Sequence, residues 1–315
     1  MKRALLGLAF TLLSGAALAE PVTIDNCGVP LTFEKRPERM VVFDIGNAKM
    51  AFALELQPVM VGVAGITGWY SLTPEFTKLQ GNIPELAPKR PTLENLISVS
   101  PDLYFAGWYY GMDPGGEVTP DTLAPHGIKT FLLTESCAQV DKQRPRATMD
   151  LLYGDILRLG QVFGKEAKAE ALVQGWQERV KAIEAKTKDL HRPRVFLYDS
   201  GEDKPLVAGQ FAMPTALIDA AGGDSVTADM DVSWSTAAWE AVAVKDPEFI
   251  ILLDYQDGGG AAKSRAFLEA HPVMKDVEAV KKGRFMSLRY EELVPGPDNI
   301  EAVEKIARAL HPDKF

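Results

Sequence analysis

The chain has 315 residues, with 43 acidic against 34 basic side chains and a formal charge of −9 at pH 7. That length accommodates two domains with separate cores. The acidic balance, with no long basic cluster, excludes a nucleic-acid partner.

Residues 1–19 read as a secretory signal. Lys2 and Arg3 precede the apolar run Ala4 to Leu13, and Ala17-Leu18-Ala19 forms a small-residue cleavage site before Glu20. The run is too short to span a bilayer. No later segment reaches spanning length without charges, so a soluble periplasmic protein, cleaved after Ala19, is expected. No cysteine follows that site, which argues against a lipid anchor there. Cys27 and Cys137 are the two cysteines. In an oxidising compartment an even count favours a disulfide, with two buried free thiols as the alternative.

The first lobe is expected over 20–145, an α/β unit with strands near Met40–Phe43, Met60–Val63, Leu103–Ala106 and Thr130–Leu133. Helices are expected near Ala48–Leu56, Leu93–Ser98 and Pro120–Ala124. The Pro- and Gly-rich stretch Gly65–Pro91 reads as one long loop. Residues 146–191 form the most helical stretch, interrupted at Gly164 and stopped at His191-Arg192-Pro193. Trp176 lies on its apolar stripe and is assigned to packing. The second lobe is expected over 192–315, with strands near Val195–Tyr198, Phe249–Leu253 and Phe285–Leu288. Its helices are expected near Ala212–Ala221, Trp239–Val244 and Asn299–Leu310.

One element occurs twice. Residues 92–106 read TLENLISVSPDLYFA and residues 237–251 read AAWEAVAVKDPEFII. Glu94 and Glu240 hold the same place in each copy, seven residues before Pro101 and Pro247. Each copy predicts a short helix, a proline stop and a buried parallel strand, so the two lobes share one design.

Ligands of α/β sheets bind beyond the carboxyl ends of strands. Those ends carry Asp44 to Asn47, Trp69 and Tyr70, Trp108-Tyr109-Tyr110, Asp199 to Phe211, Asp254-Tyr255-Gln256, and Arg289-Tyr290-Glu291. Trp234 and Trp239 flank the second copy of the repeat, and Trp239, inside its helix, is assigned to the core. Trp69, Tyr70, Trp108, Tyr109, Tyr110, Trp234, Tyr255, Arg289 and Tyr290 are the candidate ligand residues. Aromatic walls with few polar groups suit a large, partly apolar molecule. Arg289 is the expected partner of an anionic group on it.

Side-chain metal ligation is not supported, because His126, His191, His271 and His311 lack partners at ligand spacing. A metal is expected inside a chelate. No GxSxG, HExxH or P-loop occurs. Gly223-Asp224-Ser225 leaves a serine hydrolase using Ser225 as a weak alternative, a helix C-cap being the better account. No enzyme activity or cofactor is expected.

The chain resembles the periplasmic substrate-binding proteins of iron-siderophore, haem and cobalamin ABC importers, of the class III, helical-backbone type. The likeness runs through RPERMVVFD (36–44), PTLENLISVSPDLYFAG (91–107), LIDAAGG (217–223), VSWSTAAWEAVAVKDPEFIILLD (232–254) and HPVMKDVEAVKKGRFMSL (271–288). It implies two Rossmann-like lobes with parallel-type sheets, joined by a single long rigid helix, with ligand in the cleft between them. It also implies that Glu94 and Glu240 dock on arginines of an inner-membrane permease dimer with its ATPase. The expected role is capture of a ferric siderophore or similar metal chelate by a monomer. A cobalamin- or haem-binding protein of the same class is the alternative.

Overall fold

The computed structural model describes residues 20–141, 143–255 and 259–315. The expected signal segment and Gln256 lie outside the described residues. Two lobes each hold a parallel sheet. In the first, the strands run in the order Glu85–Ala87, Met60–Ala64, Met40–Phe43, Leu103–Trp108, and Lys129–Leu132 pairs with the far side of Leu103–Trp108. Met40–Phe43 is buried at all four positions. A strand apolar on both faces belongs at a sheet centre covered on both sides. The second sheet has the order Asp224–Ser225, Arg194–Tyr198, Phe249–Asp254, Phe285–Arg289, again parallel throughout.

The internal repeat extends to the backbone. Glu94 and Glu240 lie in the first turns of helices Leu93–Ile97 and Trp239–Ala243. Each copy then passes through a left-handed residue just before its proline, Ser100 (φ 45°) and Asp246 (φ 43°). An arginine clamps each turn. Arg39 donates to the carbonyls of Val99 and Ser100, and Arg194 to those of Lys245 and Asp246. Those arginines open the central strands of their sheets. The acid after each proline returns the contact: Asp102 accepts from the Arg39 amide and Glu248 from the Arg194 amide.

The connection between the sheets is helical, with the expected interruption at Gly164. Asp150–Phe163 ends at left-handed Gly164, and Glu166–Thr187 follows. Its 22 residues make it about 33 Å long. At its start Lys168 pairs with Glu55 of the first lobe. At its end Thr187 packs on Gly222 of the second, where an added Cβ would lie 2.6 Å from the Thr187 Cβ. Arg179 also pairs with Glu304 of the C-terminal helix Asn299–Leu310 at 2.8 Å. One helix therefore touches both lobes.

Several elements differ from expectation. The stretch 65–91 is not one loop: it contains helix Pro74–Gln80, capped by Thr73, and strand Glu85–Ala87. A hairpin, Val22–Asn26 with Val29–Phe33, turns through Cys27 and Gly28, both at positive φ. Its Asn26 amide bonds Thr130 and Leu132 on the sheet edge. The disulfide Cys27–Cys137 fastens the same turn to the 3-10 segment Thr134–Gln139.

Candidate ligand-binding cleft

Residues that follow strand ends in both sheets converge between the lobes. They line a cavity of about 400 Å³ that continues into an outer compartment of about 310 Å³. Tyr109, Tyr110, Tyr255 and Tyr290 border both. This size lies within the range of small-molecule sites.

Three carboxylates anchor these aromatics. Asp44 follows the first lobe's central strand and caps helix Ile45–Ala53, accepting from the Gly46 amide at 2.9 Å. Its other oxygen accepts from Tyr70 and Tyr290, each at 3.0 Å. Asp199 holds the matching position after Arg194–Tyr198 and accepts from Ser200 at 2.6 Å and Tyr255 at 3.1 Å. Glu135, in the 3-10 segment, accepts from Tyr110 at 2.9 Å and, across the cleft, from Ser233, Trp234 and the Met213 amide. All three acids are buried. Burial raises each pKa, with the hydrogen bonds pulling the other way, and Asp44 is pushed up to about 6. The tyrosines are pushed upward too, chiefly by burial, so they remain protonated donors.

The rings form a stack across the lobe boundary: Tyr70–Tyr290 at 4.7 Å and Tyr255–Tyr290 at 5.6 Å between centroids. Trp108 and Trp234 line the inner cavity. Trp234 Nε1 is satisfied by Glu135, whereas Trp108 Nε1 is buried with no protein partner. Tyr109 is 53% exposed and sits at φ 64°, a conformation that a bulky side chain rarely adopts. The turn around it requires Gly111, whose Cβ would fall 2.4 Å from the Tyr104 hydroxyl. Trp69 is 44% exposed at the outer compartment, with Lys89 over its ring.

Arg289 is placed elsewhere. It lies along a separate groove with Lys49 and Phe52 and is held 2.9 Å from Glu291. Glu94 and Glu240 are exposed and line neither compartment of the cleft. Ser225 is on an edge strand beside Thr227. The histidines have other contacts: His191 pairs with Glu248, His271 caps the Met274–Asp276 turn and packs on Trp239, and His311 meets the Gly222 carbonyl. His126 ends a surface 3-10 turn. Trp239 is a core residue, as its place in the repeat helix suggests.

Sequence reasoning listed Asp44 and Asp199 at strand ends without giving them a role, and it missed Glu135. A signal for the first two was present. Arg39 to Asp44 and Arg194 to Asp199 both read arginine, four apolar residues, aspartate. Glu135 has no such signal, because its importance comes from partners in the other lobe.

Two parallel-sheet lobes around an aromatic cleft define a binding protein rather than an enzyme. The chain belongs to the periplasmic binding protein family, whose pattern it matches over residues 40–291. It is 25% identical over 300 residues to an uncharacterized ABC transporter substrate-binding lipoprotein, YvrC, of Bacillus subtilis (strain 168), covering 94% of this chain and 87% of that one. A periplasmic binding protein from Veillonella parvula superposes with a TM-score of 0.81 at 25% identity, over 94% of this chain and 99% of that one. An ABC-type Fe3+-hydroxamate transport system protein from Saccharomonospora viridis gives 0.76 at 24% identity, over 92% and 99%.

Proposed function

We propose that this chain is the periplasmic receptor of an ABC importer and captures a ferric siderophore or similar metal chelate. The observation that carries this reading is the cleft itself: aromatic walls contributed by both lobes, of a size for a small molecule. Among the described residues no group of three or more His, Cys, Asp or Glu is arranged to hold a bare metal ion. In this reading the metal arrives within its own ligand, and the protein recognises the organic shell. No described helix is long and apolar enough to cross a membrane. Export and cleavage after Ala19 would leave a monomer free to meet an inner-membrane permease dimer and its ATPase.

Glu94 and Glu240 are the docking residues in this reading. They sit at repeated positions, one per lobe, and are exposed. Two matched carboxylates suit a partner with two-fold symmetry. The test is uptake of radiolabelled ferric chelates by cells lacking this gene. Loss of uptake of one chelate, restored by the wild-type gene, is the expected result. Unchanged uptake of all chelates would reject the role.

A further inference from the structure

Among the described residues seven acidic side chains are buried, and six of them, Asp254 apart, fall into two groups, around the cleft and away from it. Away from the cleft, Asp155 pairs with Arg158, Glu291 with Arg289 and Lys49, and Glu292 with Lys305. That is the usual condition of a buried carboxylate, since an unpaired buried charge is costly. Asp44, Glu135 and Asp199 do not follow it. Their hydrogen bonds come from neutral hydroxyl, indole and backbone amide donors. Among the described residues Arg90 is the one basic side chain lining either compartment, and it is already paired with Asp113, while Lys89 lies over the Trp69 ring at the edge of the outer one.

The surrounding rings reinforce this bias. Their hydroxyls are turned toward the carboxylates, and although Tyr290 is stacked between Tyr70 and Tyr255, Trp108, Tyr109, Tyr110 and Trp234 also line the cavity. Aromatic faces attract cations. The buried Trp108 Nε1, a donor with no protein partner, remains for an acceptor atom on the same ligand.

We infer that the cleft selects a ligand bearing a positively charged group, such as a chelate with a free ammonium, and rejects polyanionic chelates. The inference rests on the chelate-receptor reading above and adds the charge class. Asp199 on the inner cavity and Asp44 on the outer compartment are the carboxylates that border the ligand space. Glu135 lies behind Tyr110 and Trp234 and accepts a hydrogen bond from each.

The test uses isothermal titration of wild-type protein at pH 7.5 with three ferric chelates. The first is a linear tris-hydroxamate with a free terminal amine, the second its N-acetylated form, and the third a tris-catecholate of net charge −3. The expected result is affinity for the amine form at least about tenfold above the acetylated form, a difference of about 1.4 kcal/mol, with no tris-catecholate binding. The gap should shrink in Asp199→Asn, whose folding is checked by its thermal melt. Equal affinity for the amine and acetylated forms, or tighter binding of the tris-catecholate, would overturn the charge selection and leave the chelate reading standing. No saturable binding of any of the three would overturn both. The wild-type comparison decides the matter even if the variant fails to fold.

Discussion

Tyr290 of the second lobe donates its hydroxyl to Asp44 of the first at 3.0 Å. Tyr70, from the same lobe as Asp44, donates to the same oxygen. One buried carboxylate thus joins the lobes through stacked rings beside the cleft. Close backbone contact accompanies it: a Cβ on Gly46 would lie 2.5 Å from the Pro295 carbonyl.

Asp44 makes stability depend on pH. Burial lifts its pKa from 3.8 to about 6. A raised carboxyl pKa means that folding favours the protonated form. Its contribution is therefore full below pH 4 and lost as pH rises through about 6, on the order of 3 kcal/mol. Asp44→Asn should melt higher than wild type at pH 7.5 and match it near pH 4, by calorimetry without ligand. A variant that melts lower at pH 7.5 would show that the ionised form is well accommodated.

Glu135 ties the lobes from the opposite wall, through Met213, Ser233 and Trp234. Glu135→Ala strands several buried donors, each worth about 1–3 kcal/mol. The variant should melt well below wild type and show a larger radius of gyration by X-ray scattering. Glu135→Gln should fall between, since an amide leaves at least one of those donors facing another. A wild-type melt and radius for the alanine variant would dismiss the latch.

The Cys27–Cys137 bond closes a separation of 110 residues. Chain entropy assigns such a loop on the order of 4–5 kcal/mol. Reduction, or a Cys27→Ser/Cys137→Ser double variant, should lower the melting temperature without abolishing the second lobe's native circular dichroism. An unchanged melt would mean that the Asn26 contacts alone hold the hairpin.

Both sheets were legible because their central strands are apolar runs: Met40–Phe43 and Phe249–Asp254 fall where the pattern puts them. The hairpin was not legible, since Val22–Asn26 alternates exposed and buried positions and carries no strong apolar face. The Pro74–Gln80 helix had its signals, Thr73 as cap and Pro74 at the first turn. A single large buried residue, Phe76, gave too little periodicity to reveal it. In the cleft, tyrosines and tryptophans stood out by type and position. The carboxylates that orient them emerge only once the lobes meet. Arg289 misled for a related reason: its side chain lies along another groove and pairs there with the buried Glu291, two residues away.

Glu94 and Glu240 should separate binding from delivery. The Glu94→Ala/Glu240→Ala protein should bind its chelate with wild-type affinity yet fail to stimulate ATP hydrolysis by the reconstituted permease complex. The single variants should lie between. Full stimulation by the double variant would remove both residues from docking.

The central claim is that a chelate binds between the lobes against Trp108 and Trp234. Tryptophan-fluorescence titration of the exported form with ferric chelates, haem and a corrinoid, corrected for absorbance, tests it most directly. The account predicts saturable quenching by one ferric chelate at one site per chain, weakened in Trp234→Phe. Absence of saturable quenching by every ligand, or undiminished affinity and quenching in Trp234→Phe, would contradict it.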